Sequence, residues 1–187
     1  MTLPFKFLDA YGPEDAAVFF GRNDETLALY ELCFRARLLL VYGPSGTGKT
    51  SVINCGLASR FSDVDWLPVP VRRGANLNDS LAQALAKALG APLDGDDMVA
   101  AVSRLYNERL IPVFLIFDQF EELFVLGTAD ERAKFAATLA ALAASDVRCR
   151  IIISFREEYI ANLQTFEATV PSIFNHRLRI EPMRRTV

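Results

Sequence analysis

The apolar run Leu38-Leu39-Leu40-Val41-Tyr42 stops at residues 43–50, which read Gly-Pro-Ser-Gly-Thr-Gly-Lys-Thr. The spacing G-x-x-x-x-G-K-[ST] works only where a strand feeds a loop and the loop feeds a helix. The loop's N–H groups and the positive end of the helix then converge on one anion. Gly43, Gly46 and Gly48 let the backbone turn and approach that anion closely. Pro44, Ser45 and Thr47 occupy the variable positions, and Ser51 follows in the first helical turn. Lys49 offers a charge to terminal phosphates, and Thr50 offers a hydroxyl to Mg²⁺. The expected ligand is a nucleoside triphosphate.

Strand-like and helix-like segments alternate along the rest of the chain. Besides residues 37–42, strands are expected at 66–72, 113–117, 150–154 and 177–180. Helical segments are expected at 14–20, 24–36, 49–60, 96–109, 130–143 and 157–163, with another that Asn78 or Asp79 caps and Gly90 ends. Wholly apolar strands such as 113–117 are buried on both faces. The alternation implies an α/β fold, a three-layer sandwich with a central, mainly parallel five-stranded sheet. Pro68 and Pro70 put 66–72 at or near a sheet edge.

At 187 residues the chain fits a single domain, with a leading segment 1–36 and a core 37–183. Residues 181–187 show no terminal element, so a piece of a longer protein is expected. A 51% hydrophobic content suits a sizeable core. The net charge of −3 and scattered cations give no reason to expect nucleic acid. Arg72-Arg73 and Arg184-Arg185 read as solvated surface or local ion pairs. Cys33, Cys55 and Cys149 are far apart and the only histidine is His176, so no metal-ligand spacing appears and a reducing, cytoplasmic compartment fits. Residues 1–6 lack the apolar core of a signal peptide, and no apolar run reaches membrane-spanning length.

The strand at 113–117 ends in Asp118-Gln119-Phe120-Glu121-Glu122. A carboxylate at the tip of a buried strand needs a cationic partner. Beside a phosphate loop that partner is Mg²⁺, held through water. Asp118 is therefore assigned with Thr50 to the metal; the plainer reading is a helix cap. Hydrolysis also needs a group that orients or deprotonates water. Glu121 and Glu122 are the candidates, Glu121 the favoured one, because a helix starting near Gln119 would turn them in different directions. The run Ile151-Ile152-Ile153-Ser154 leads to Arg156, whose fork suits a terminal phosphate. Its plainer reading is an ion pair with Glu157 or another carboxylate.

Four segments in this order carry a resemblance. They are Phe20-Gly21-Arg22-Asn23-Asp24-Glu25, residues 43–50, Leu115-Ile116-Phe117-Asp118-Gln119-Phe120-Glu121-Glu122-Leu123-Phe124, and Ile153-Ser154-Phe155-Arg156-Glu157-Glu158-Tyr159. The chain resembles the STAND class of P-loop signal-transduction ATPases, and most the bacterial novel STAND NTPase group, from about residue 11 to 183. The resemblance implies an additional-strand P-loop fold, with Asp118 and Glu121 or Glu122 between the first and fourth strands. It implies Gly21 and Arg22 near adenine and ribose, and Arg156 as a sensor of the terminal phosphate. ATP or ADP with Mg²⁺, slow hydrolysis, self-association in the ATP state and further sensor and effector domains follow from it. The rival readings are a ring-forming AAA+-type ATPase and an inactive nucleotide-binding interaction module.

Overall fold

A computed structural model describes residues 10–183. Residues 1–6, with the Pro4 breaker, and the Arg184-Arg185 cluster lie outside them.

Strands β1 (Leu38–Gly43), β2 (Leu67–Val71), β3 (Val113–Phe117), β4 (Cys149–Arg156) and β5 (Arg177–Arg179) form one sheet in the order β2-β3-β4-β1-β5. Every neighbouring pair is parallel. The carboxyl ends of all five strands therefore open on one edge, the edge where ligands bind in such sheets. Pro68 and Pro70 are exposed on the edge strand β2, where a missing N–H interrupts no ladder. β4 lies between β1 and β3. That corrects the expectation that Asp118 and the Glu121-Glu122 pair lie between the first and fourth strands. They leave β3, on the far side of β4 from β1. β4 takes the middle because Ile151, Ile152 and Ile153 are fully buried, and an inner strand covers both faces and both ladder edges.

The period-2 alternation of β1 sorts the layers. Leu39 and Val41 pack towards α1 (Asn23–Arg35) and the helical run that starts with α2 (Lys49–Ser51). Leu38 and Leu40 pack towards α3 (Leu77–Leu89), α4 (Met98–Arg109) and, past the short α5 (Glu122–Val125), α6 (Ala129–Ala144). The structure is thus the expected three-layer α/β sandwich.

Several boundaries differ from expectation. The helix at 49–60 is one α turn, a π-helix over Val52–Leu57 and a 3-10 turn over Ala58–Arg60. Gly56 sits in the π stretch, pressed so closely on α1 that an added Cβ would stand 2.4 Å from Thr26 Oγ1. Asn76, not Asn78 or Asp79, caps α3, because its side chain accepts from the N–H groups of both. The segment at 157–163 resolves into 3-10 turns over Glu157–Tyr159 and Asn162–Phe166.

β5 leaves the sheet against the start of the phosphate loop. Ile180 N–H donates to Tyr42 O at 2.7 Å, and a Cβ on Gly43 would stand 2.3 Å from Ile180 O. Backbone cannot yield there as a side-chain tip would. Gly43→Ala is expected to lower stability by about 1–3 kcal/mol, read as a reduced urea midpoint. An unchanged midpoint would show that β5 yields freely.

Candidate functional site

The loop is built by its glycines. Gly46 and Gly48 adopt φ of 74° and 81°, a left-handed backbone that suits glycine, and a Cβ at either would meet nothing within 4 Å. The loop therefore stands open to a ligand. Lys49 Nζ reaches back and donates to Gly43 O at 3.0 Å and Pro44 O at 2.9 Å. Thr47 Oγ1 donates to Pro44 O at 3.0 Å, closing the loop on itself. Ser51 Oγ accepts from Tyr11 N at 3.1 Å, bringing the leading segment to the loop.

A cavity of about 650 Å³ spans the loop and the ends of β2, β3 and β4. Ser45, Gly46, Gly48, Lys49, Thr50 and Ser51 line it on one side, and Asp118, Glu121, Ser154 and Arg156 on the other. Thr50 Oγ1 stands 3.1 Å from both carboxylate oxygens of Asp118. Asp118 caps no helix: Gln119 follows with a left-handed φ of 55°, and α5 begins only at Glu122. This corrects the expected helix start near Gln119. The backbone keeps strand-like partners until Phe120, since Asp118 N–H donates to Val71 O and Phe120 N–H to Ser154 O.

That delayed start separates the two glutamates. Glu121 is 8% exposed and lines the cavity. Arg156 holds it, with Nε 3.2 Å from Oε1 and the backbone N–H donating to Oε2 at 3.3 Å. Glu122 is half-buried, does not line the cavity, and acts on Arg73 through its charge. Glu157, the other partner considered for Arg156, pairs with Arg179 instead.

Gly21 has a φ of 80°, and Arg22 is 4% exposed. Arg22 donates to Thr47 O at 2.7 Å and Glu181 O at 2.8 Å, and pairs with Glu25 at 2.5 Å. It clamps the phosphate loop to the segment after β5. With Phe19, Pro44, Pro182 and Met183 it also lines a second cavity of about 320 Å³ beside the first. The two cavities share Tyr11, Ser45, Gly46, Gly48 and Ser51.

Among the described residues no group of three or more His, Cys, Asp or Glu is arranged to hold a metal. Mg²⁺ does not require one, because it binds through one or two carboxylates, water and substrate phosphates. One hydroxyl beside one carboxylate fits that donor set. No helix among the described residues is long and apolar enough to cross a membrane. Burial pushes the Lys49 ammonium below its ordinary value, while Glu121 and Asp118 pull it back up.

Sequence reasoning missed Arg72 and Gln119, which both line the cavity. Arg72 donates to Asp118 Oδ2 at 2.7 Å. A signal for it existed: Arg72 directly follows its strand, as Asp118 does, and parallel strands end at a common edge.

A family profile described as Novel STAND NTPase 1 matches residues 4–187. No curated protein sequence matches the chain at a significant level. Among solved structures, a Walker-type ATPase of Pyrococcus abyssi is similar at a TM-score of 0.64 and 15% identity, over 98% of this chain and 59% of that one. The Aeropyrum pernix ORC2 protein, in ADPNP-ADP complexes, is similar at 0.68 and 18%, over 91% of this chain and 49% of that one. Drosophila ORC bound to DNA is similar at 0.58 and 16%, over 88% of this chain and 94% of that one. At these identities the likeness is one of fold, and the chain spans about half the length of the first two.

Proposed function

The chain belongs to the Novel STAND NTPase 1 family, and from that premise we propose that it is an ATP-binding, Mg²⁺-dependent switch domain that cleaves the terminal phosphate slowly. The observation that carries this reading is the convergence of Lys49, the Thr50–Asp118 pair and the Glu121–Arg156 pair on one cavity. In it, Gly43 to Ser51 cradle the phosphates and Lys49 neutralises them. Thr50 and Asp118 would hold Mg²⁺, which when bound would supply positive charge against the developing negative charge of the phosphates. Glu121 accepts a proton from the attacking water as the new P–O bond forms and the bond to the leaving ADP breaks. Arg156 reads the terminal phosphate, and Gly21 and Arg22 border the base and ribose.

Slow turnover is supported by how the charged groups are held. Lys49 rests on loop carbonyls and Arg156 on Glu121. Each must leave a protein partner before it serves the nucleotide, and Glu121 takes a proton from water only after Arg156 turns to phosphate. Such a site suits a switch more than a continuously working motor. On this reading the domain acts in the cytoplasm in bacterial signalling or defence. It self-associates in the ATP state and answers to sensor and effector domains outside this chain.

Single-turnover hydrolysis and ATP binding, measured together, test this. Glu121→Gln is expected to keep ATP affinity within a few-fold and to lose about 10²-fold or more in the hydrolysis rate. Wild-type protein that binds no ATP would overturn the whole reading. A Glu121→Gln variant as fast as wild type would remove Glu121 from the chemistry.

A further inference from the structure

Arg72 and Arg73 follow the edge strand β2 and point opposite ways. Arg73 turns to the α3/α6 side and is buried on Glu131 at 2.8 Å. Arg72 turns into the cavity and meets Asp118 at 2.7 Å. The register explains the meeting. Val71 is paired with Phe117 in the parallel ladder, so the next residues of the two strands, Arg72 and Asp118, emerge side by side. Asp118 is thus shared between two donors, the Thr50 hydroxyl and the Arg72 guanidinium.

We infer that Arg72 is a positioning residue that competes with the divalent cation for Asp118 and yields the carboxylate when Mg²⁺ enters with nucleotide. The inference rests on the nucleotide reading above and adds a regulator to that site. A carboxylate that serves Mg²⁺ accepts hydrogen bonds from the ion's bound water. Arg72 already donates to Oδ2, so the two cations call on the same carboxylate. Their mutual repulsion keeps both from staying. Arg72 is the one able to leave: its side chain is 57% exposed, against 8% for Arg73. Once free, its planar fork suits the oxygens of the incoming polyphosphate. Asp118 is therefore kept neutralised and oriented between nucleotides, and the concentration of Mg²⁺ needed to load the site is set partly by Arg72.

ATP affinity measured by titration calorimetry across a Mg²⁺ series, on wild type, Arg72→Gln and Arg72→Lys, tests the competition. Removing an exposed pair of this kind is expected to lower the Mg²⁺ midpoint about two- to five-fold in Arg72→Gln. Arg72→Lys, which keeps the charge but not the fork, is expected between the two. A merely structural ion pair would change thermal stability and leave the Mg²⁺ midpoint where it was. An Arg72→Gln midpoint equal to or above wild type, with wild type binding ATP, overturns this inference alone. A wild type that binds no ATP overturns it together with the nucleotide reading.

Discussion

Lys49→Ala is expected to weaken binding of ATP with Mg²⁺ by about 10²-fold or more. Charge-assisted hydrogen bonds contribute about 1.5–3 kcal/mol each, and the ammonium can give one or two to terminal phosphates. Arg156 and Arg72 start on Glu121 and Asp118 across the cleft, so neither takes the place of an ammonium seated at the loop itself. Lys49 now donates to the carbonyls of Gly43 and Pro44, so it is poised at the loop rather than extended into solvent. Its protonation adds a second readout. Burial first, then Arg156, lower it from the ordinary 10.5, against the pull of Glu121 and Asp118. A bound triphosphate restores the charged form, so its value rises on binding. Affinity is then fully present below the lowered value of the free protein and falls as pH rises through it. Calorimetry from neutral to alkaline pH checks this. Equal affinity in wild type and Lys49→Ala would sink the loop assignment.

Glu131→Ala is expected to lower stability by about 1–3 kcal/mol, because it leaves the buried Leu77 N–H without its acceptor and Arg73 with only the carbonyls of Gly74, Ala75 and Leu126. The Arg73 and Glu131 side chains are 8% and 4% exposed. Glu131 accepts from Arg73 Nε at 2.9 Å, from Arg73 Nη2 at 2.8 Å and from Leu77 N at 2.7 Å. One carboxylate thus ties the end of β2 to the first turns of α3 and α6. The same geometry sets an acid response. The Arg73 hydrogen bonds hold Glu131 below the ordinary glutamate value of 4.5, against the opposing effect of burial. A depressed carboxylate contributes stability that is present above the unfolded value and is lost as pH falls through the folded one. Urea unfolding between neutral pH and the acid range should show wild type losing more stability than Glu131→Gln. Parallel losses would mean that the pair adds nothing to the acid response.

Most of the fold was legible because its signals are local. Residues 113–117 are a wholly apolar run and form a wholly buried strand. Gly90 ends α3 with a left-handed φ of 71°. Helix starts were less legible, since a cap depends on which side chain turns back onto the backbone. Asn76, Asn78 and Asp79 are all chemically able to do so, and only Asn76 does. The π-helix over Val52–Leu57 had no signal of its own, and the close contact of Gly56 with α1 is a tertiary one.

For the site, residues 38–51 and 113–122 carry the loop and the acidic cluster by themselves, because each chemical requirement there is met within a few residues of chain. Which glutamate faces the cavity was decided by tertiary structure. Hydrogen bonds from Asp118 and Phe120 to neighbouring strands hold off the helix until Glu122, and so turn Glu121 inward. Arg72 depended on strand order: only the pairing of β2 beside β3 sets it against Asp118. Arg22 depended on the chain's return, since Glu181 lies 159 positions away and meets it only after β5 joins β1. By itself the sequence determined the type of fold and the loop, through periodicity and backbone chemistry acting over short spans. The tertiary structure alone decided which charges meet, because ion pairs act at a few ångströms and strand order chooses which distant residues come that close.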